Sequence, residues 1–78
     1  MTNTAMLQGK MREKGFTIAS LSEKLGLSRT GLFNKIHNIA EFLISEVQMI
    51  ATILELSDED IQLIFFTVRV ELGSTRKM

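Results

Sequence analysis

The chain has 78 residues and no Cys, Pro, Trp or Tyr. That length is one domain near the lower limit for an unaided core, and lack of thiols excludes disulfide staples and thiolate zinc sites. Formal net charge is zero but unevenly spread: residues 1–39 carry six Lys and Arg against two Glu, a net +4, and residues 40–78 carry three against seven acids, a net −4. A basic first half is what an anionic partner would select, although two oppositely charged ends would also serve solubility alone.

Asn3 or Thr4 can cap a first helix running to about Lys14, with Leu7 and Met11 as its inward pair and Met6 beside them. Gly9 lies inside this helix, where it would let another helix approach closely. The opening MTNTAMLQGKMREKG lacks the apolar stretch of a secretory leader, and no apolar run is long enough to cross a bilayer. Gly15 ends the helix, and Phe16 is a core plug ahead of the next cap.

Thr17 to His37, TIASLSEKLGLSRTGLFNKIH, is the organising stretch. Thr17 caps a helix whose Leu21 and Leu25 share one face, and Gly26 supplies a left-handed stop. Leu27 plugs the corner, Ser28 caps a third helix, and Leu32 and Ile36 form the matching inward pair. Cap, one-sided pair, Gly stop, cap and one-sided pair make a helix-turn-helix. Asn38 is a left-handed stop. Ile39 to Leu43 is a linker with Phe42 turned inward.

Ile44 to Glu55 is a fourth helix with Val47, Ile50, Ala51 and Leu54 at helical spacing and Ile53 broadening the stripe. Leu43, Ile44 and Met49 fall off it, so they either widen the core face or form an exposed contact surface. Ser57 caps a fifth helix. Asp58, Glu59 and Asp60 complement its dipole, which accounts for this acidic cluster without a metal. Ile61, Ile64 and Phe65 are its inward face, and it ends near Phe66. Thr67 to Leu72, TVRVEL, then alternates at period two, as a half-buried strand would. Such a lone strand has no evident pairing partner in an otherwise helical chain. Gly73 to Met78 reads as a frayed tail.

The run LSEKLGLSRTGLFNKI resembles the helix-turn-helix of the XRE class, which includes the Cro and repressor proteins of temperate phages. Leu21, Ser22, Leu25, Gly26, Leu27, Ser28 and Leu32 stand where that pattern places such residues. Ile18 replaces a frequent phosphate-gripping Gln, and Ser22 a usual Ala. Lys35 stands at a frequently apolar position, with Ile36 beside it taking over the packing. The flanking GKMREKG and SDEDI…IFF are similar to the small phage Cro-like group, so the resemblance covers most of residues 7 to 66. It implies an all-α, five-helix lambda-repressor-like bundle over residues 4–66, followed by the extended segment and tail of 67–78.

Nothing in the chain suggests catalysis. There is one His, no Gly-rich phosphate loop and no polar cluster of the kind an active site assembles. No metal, cofactor or small-molecule substrate is expected. The outer face of the third helix is more informative. Arg29 can pair bidentately with guanine and Asn34 with adenine, and Thr30 and Phe33 can pack on a thymine methyl group. Lys24, Ser28 and Lys35 are placed for phosphates, and His37 either ends the third helix or adds a phosphate contact. Gly31 would allow close approach of the backbone. As a mere packing unit, the same stretch would use Arg29 and Lys35 as surface charges and Phe33 to close a core.

Two functions follow as expectations. The first is a Cro-like transcriptional regulator that binds double-stranded operator DNA in the bacterial cytoplasm, at the nucleoid. A homodimer would form through TVRVEL or through Leu43, Ile44 and Met49. The second is a modulator of repression, an antirepressor that binds the phage lysogeny repressor by protein contact.

Overall fold

The computed structural model describes residues 1–66, and five helices form one all-α bundle. They are α1 (Thr4–Glu13), α2 (Ile18–Leu25), α3 (Arg29–Ile36), α4 (Ile44–Ile53) and α5 (Asp58–Phe65). The TVRVEL segment and the tail lie outside the described residues.

Each helix start is fixed by a local hydrogen bond, as short polar side chains at caps require. Asn3 Oδ1 accepts the Met6 amide at 3.1 Å, and Ser28 Oγ accepts the Gly31 amide at 2.9 Å. Thr17 and Ser20 cap reciprocally, each side-chain oxygen accepting the other residue's amide at 3.1 and 2.9 Å. Ser57 and Asp60 do the same for α5. The start of α4 is built differently. Leu43 has no capping side chain, so the Glu46 carboxylate alone accepts the Leu43 amide at 2.9 Å.

Stops follow from left-handed residues. Gly15, Gly26 and Asn38 take φ of 77°, 73° and 65°, as their positions in the sequence suggest. Helix α4 ends earlier than expected, at Ile53, because Leu54 caps it and Glu55 turns left-handed at φ 55°.

The core is Leu7 and Met11 from α1, Leu21 and Leu25 from α2, Leu32 and Ile36 from α3, Val47 and Ile50 from α4 with Leu54 after it, and Ile64 and Phe65 from α5. The expected inward pairs all reach it. Phe16, Leu27, Phe42 and Ile61 pack against it half-buried. Phe42 meets Phe65 edge to face, with centroids 5.4 Å apart, a favoured aromatic geometry. Gly9 does not serve a close approach: a Cβ built there would meet nothing within 4 Å. Leu43, Ile44 and Met49 do not widen the core; they are 60%, 61% and 42% exposed.

Four hydrogen bonds tie the N-terminus across the bundle. The Asn3 amide donates to the Ile64 carbonyl at 2.7 Å, and the Thr4 hydroxyl to the Ile36 carbonyl. The Asn38 side chain accepts the Thr2 amide at 2.7 Å and donates to the Thr2 carbonyl at 2.9 Å.

Candidate nucleic-acid interface

Helices α2 and α3 pack on one another through Leu21, Leu25, Leu32 and Ile36, all buried, with Leu27 half-buried in the corner between them. Ser22 is buried, with only 4% exposed, and its hydroxyl donates to the Ala19 carbonyl at 2.8 Å. Burying Leu32 and Ile36 completely leaves the remaining sides of α3 outward.

Arg29 and Thr30, in its first turn, are exposed. Arg29 makes no ion pair among the described residues. Phe33 is 45% exposed and does not close the core. Its ring stacks at 4.3 Å, tilted by 38°, on His37, which occupies the C-cap of α3. Asn34 is half-buried. Its carbonyl accepts the amides of Ile39 and Ala40, which turns the chain away after α3. Four predicted base readers thus share one helix, with Arg29, Thr30 and Phe33 open to solvent.

The predicted phosphate contacts divide. Lys24 is exposed and without an ion pair among the described residues. Ser28 is exposed, but its hydroxyl is occupied as the acceptor for Gly31. A shallow groove of ≈ 450 Å³ joins the starts of α2 and α3, lined by Thr17, Ser20, Ser28 and Arg29 among others. The first amides of both helices lack intrahelical partners there, a setting that favours anions, although Glu23 on the same groove opposes them. His37 remains next to Phe33 at the far end of α3.

Lys35 has a different role from the expected one. Its Nζ lies 2.7 Å from Glu46 Oε1, and the two side chains are only 16% and 11% exposed. The lysine is held inward as a strut between α3 and α4, not presented to solvent. Burial alone would raise the Glu46 carboxyl. The hydrogen bonds from Lys35 and the Leu43 amide, with the lysine charge, outweigh burial and hold it below the usual carboxylate range. Sequence reading missed Glu46. The signal was an acid at the third position of α4, hidden because the preceding cap is a Leu with no polar side chain.

Two other cations of the basic half are likewise committed. Lys10 pairs with Asp60 at 3.4 Å and with Glu13, and Lys14 with Glu55 at 3.1 Å. Among the described residues, Arg12, Lys24 and Arg29 are the cations left without an ion pair, and the last two flank the turn between α2 and α3. Also among the described residues, no helix is long and apolar enough to cross a membrane, and no cluster of His, Asp and Glu is set for a metal ion. No family model, curated protein or solved structure matches the chain.

Proposed function

We propose that the protein is a Cro-like transcriptional regulator that binds double-stranded operator DNA, with α3 as its reading helix. The observation that carries this is the division of α3: Leu32 and Ile36 are fully buried while Arg29, Thr30 and Phe33 face solvent, and Arg29 has no protein partner among the described residues. A helix held by one face, with a cation at its N-terminal end and an aromatic further along the exposed side, suits major-groove contact. Lys24 and the helix starts fix register on phosphates, while Lys35 supports α3 from behind. In a dimer, two such helices would sit about 34–36 Å apart, one turn of DNA.

The test is fluorescence anisotropy of the purified protein against a labelled random duplex pool as salt is raised. Binding that falls steeply with salt supports the reading, since neutralised phosphates release counterions. No binding at low salt by a folded protein overturns it.

A second reading, the modulator that covers a lysogeny repressor, draws on the exposed apolar residues Ile39, Leu43 and Ile44 and on the internal use of three of the N-terminal cations. It expects a repressor to co-purify from a host that carries the prophage, and it fails if none does at micromolar protein.

A further inference from the structure

Helix α3 has eight residues, and its two ends are held in different ways. At its start the fastening is local. The Ser28 hydroxyl and carbonyl accept the Gly31 and Leu32 amides at 2.9 and 3.0 Å. Residues 28–32 make no hydrogen bond or ion pair to another part of the fold among the described residues. Leu32, fully buried, holds this half by apolar packing, which has no preferred direction.

The far end of α3 is held from a distance, by directional bonds. Lys35 Nζ lies 2.7 Å from Glu46 Oε1 of α4. The Thr4 hydroxyl, 32 residues away in the chain, donates to the Ile36 carbonyl at 2.6 Å. Asn38 exchanges two hydrogen bonds with the backbone of Thr2, at 2.7 and 2.9 Å. A helix leaves its last four carbonyls without intrahelical donors. In α3 the His37 amide serves Phe33, the Ile39 and Ala40 amides serve Asn34, and the Asn38 amide serves Lys35. For Ile36, a fully buried residue, the donor among the described residues is Thr4.

We propose that Thr4 and the Thr2–Asn38 tie are positioning residues for the reading helix, setting the direction in which α3 carries Arg29, Thr30 and Phe33 out of the bundle. This role rests on the DNA-binding reading. Arg29 lies about 10 Å along the helix axis from Ile36. A tilt of about 5° about the Ile36 end moves it by about 1 Å, beyond the roughly 0.5 Å that a recognition site tolerates. Bidentate pairs to base edges need a fixed helix direction, whereas attraction to phosphates survives a tilt. Release of the far end therefore removes discrimination between sequences before it removes affinity for duplex DNA. Thr2 is buried and Thr4 half-buried, and both act at the end of α3 away from Arg29.

Three variants test it. Thr4→Val removes the hydroxyl and keeps the branched shape, and Thr4→Ser restores a hydroxyl. Asn38→Gly removes the bonds to Thr2 and keeps the left-handed backbone. Residual dipolar couplings of the unbound proteins report the direction of α3 relative to α1 and α4. Fluorescence anisotropy then compares a duplex that the parent selects from a random pool with the unselected pool. Thr4→Val and Asn38→Gly should change the couplings at residues 29–36. They should bind the selected duplex at least about tenfold more weakly, with less than about twofold change on the pool. Thr4→Ser should match the parent in both measurements. Equal losses on the two duplexes would reflect a smaller folded fraction alone and would overturn the proposal. So would unchanged couplings in Thr4→Val and Asn38→Gly, or a Thr4→Ser variant as poor as Thr4→Val. A parent protein that binds neither duplex overturns the DNA-binding reading and the reading role of Thr4 with it, and the couplings then decide on their own whether Thr4 orients α3.

Discussion

Two cations on α3 show how little residue type says about role. Arg29 opens the helix in solvent, and Lys35, six residues on, is held 2.7 Å from Glu46. If α3 reads DNA, Arg29→Ala should cost roughly 1–3 kcal/mol of binding to a selected operator and relax preference at one base pair. An alanine variant that binds its best site as well as the parent would remove Arg29 from the reading set. For Glu46 the readout is stability against pH. Its carboxyl is held below the usual range, so the folded state binds fewer protons there than the unfolded chain. That stabilisation is present above the ordinary carboxylate range and is lost as pH falls through the lower folded value. Glu46→Gln keeps an acceptor for the Leu43 amide but not the charge. Its urea midpoint should therefore fall less than the parent's between about pH 7 and about pH 3. Equal falls in the two proteins would show that the pair adds nothing. The Asp60 carboxyl, also lowered, chiefly by the Ser57 amide, is present in both proteins and cancels in the comparison.

Within the elements, caps and stops do most of the specifying. Thr17, Ser28 and Ser57 open helices, and Gly15, Gly26 and Asn38 close them, because each acts through atoms within three or four residues. Such signals are legible without a tertiary structure. The two interior glycines separate on space. Gly9 has open surroundings, so Gly9→Ala should raise stability by about 0.5–1 kcal/mol, measured by urea unfolding, since it gains helix propensity and meets no neighbour. A loss on that substitution would overturn this account of Gly9. At Gly31 a Cβ would lie 3.0 Å from Ser28 Oγ, the atom that caps the helix, so the same gain is opposed by displacement of the cap.

Across the whole molecule, charge is arranged as pairing between halves. Lys10, Lys14 and Lys35 each meet an acid from the region beyond residue 40, so the +4 of the first half overstates what is available to a partner. The exposed pairs contribute little individually; the inward Lys35–Glu46 pair is the one whose loss would leave a poorly solvated charge. The N-terminus is tied down in the same long-range manner. Asn38 is left-handed and also bonds both backbone groups of Thr2. Asn38→Ala should cost about 2–3 kcal/mol of stability, from left-handed strain plus the lost hydrogen bonds, read as a lowered urea midpoint. An unchanged midpoint would show that the N-terminal tie carries no stability.

Helical period and capping act over a few residues, so the five helices, their caps, the left-handed stops and the inward pairs are legible in the order of residues alone. Arg29, Thr30, Phe33 and Asn34 fall together on one helix for the same local reason. Which of those side chains stay free depends on the packing of the folded chain. It turned Lys35 inward onto Glu46, left Leu43 and Ile44 outside the core and gave Gly9 open space. These outcomes depend on which helix faces come together across eleven or more residues of chain, and no spacing rule within one element encodes that distance.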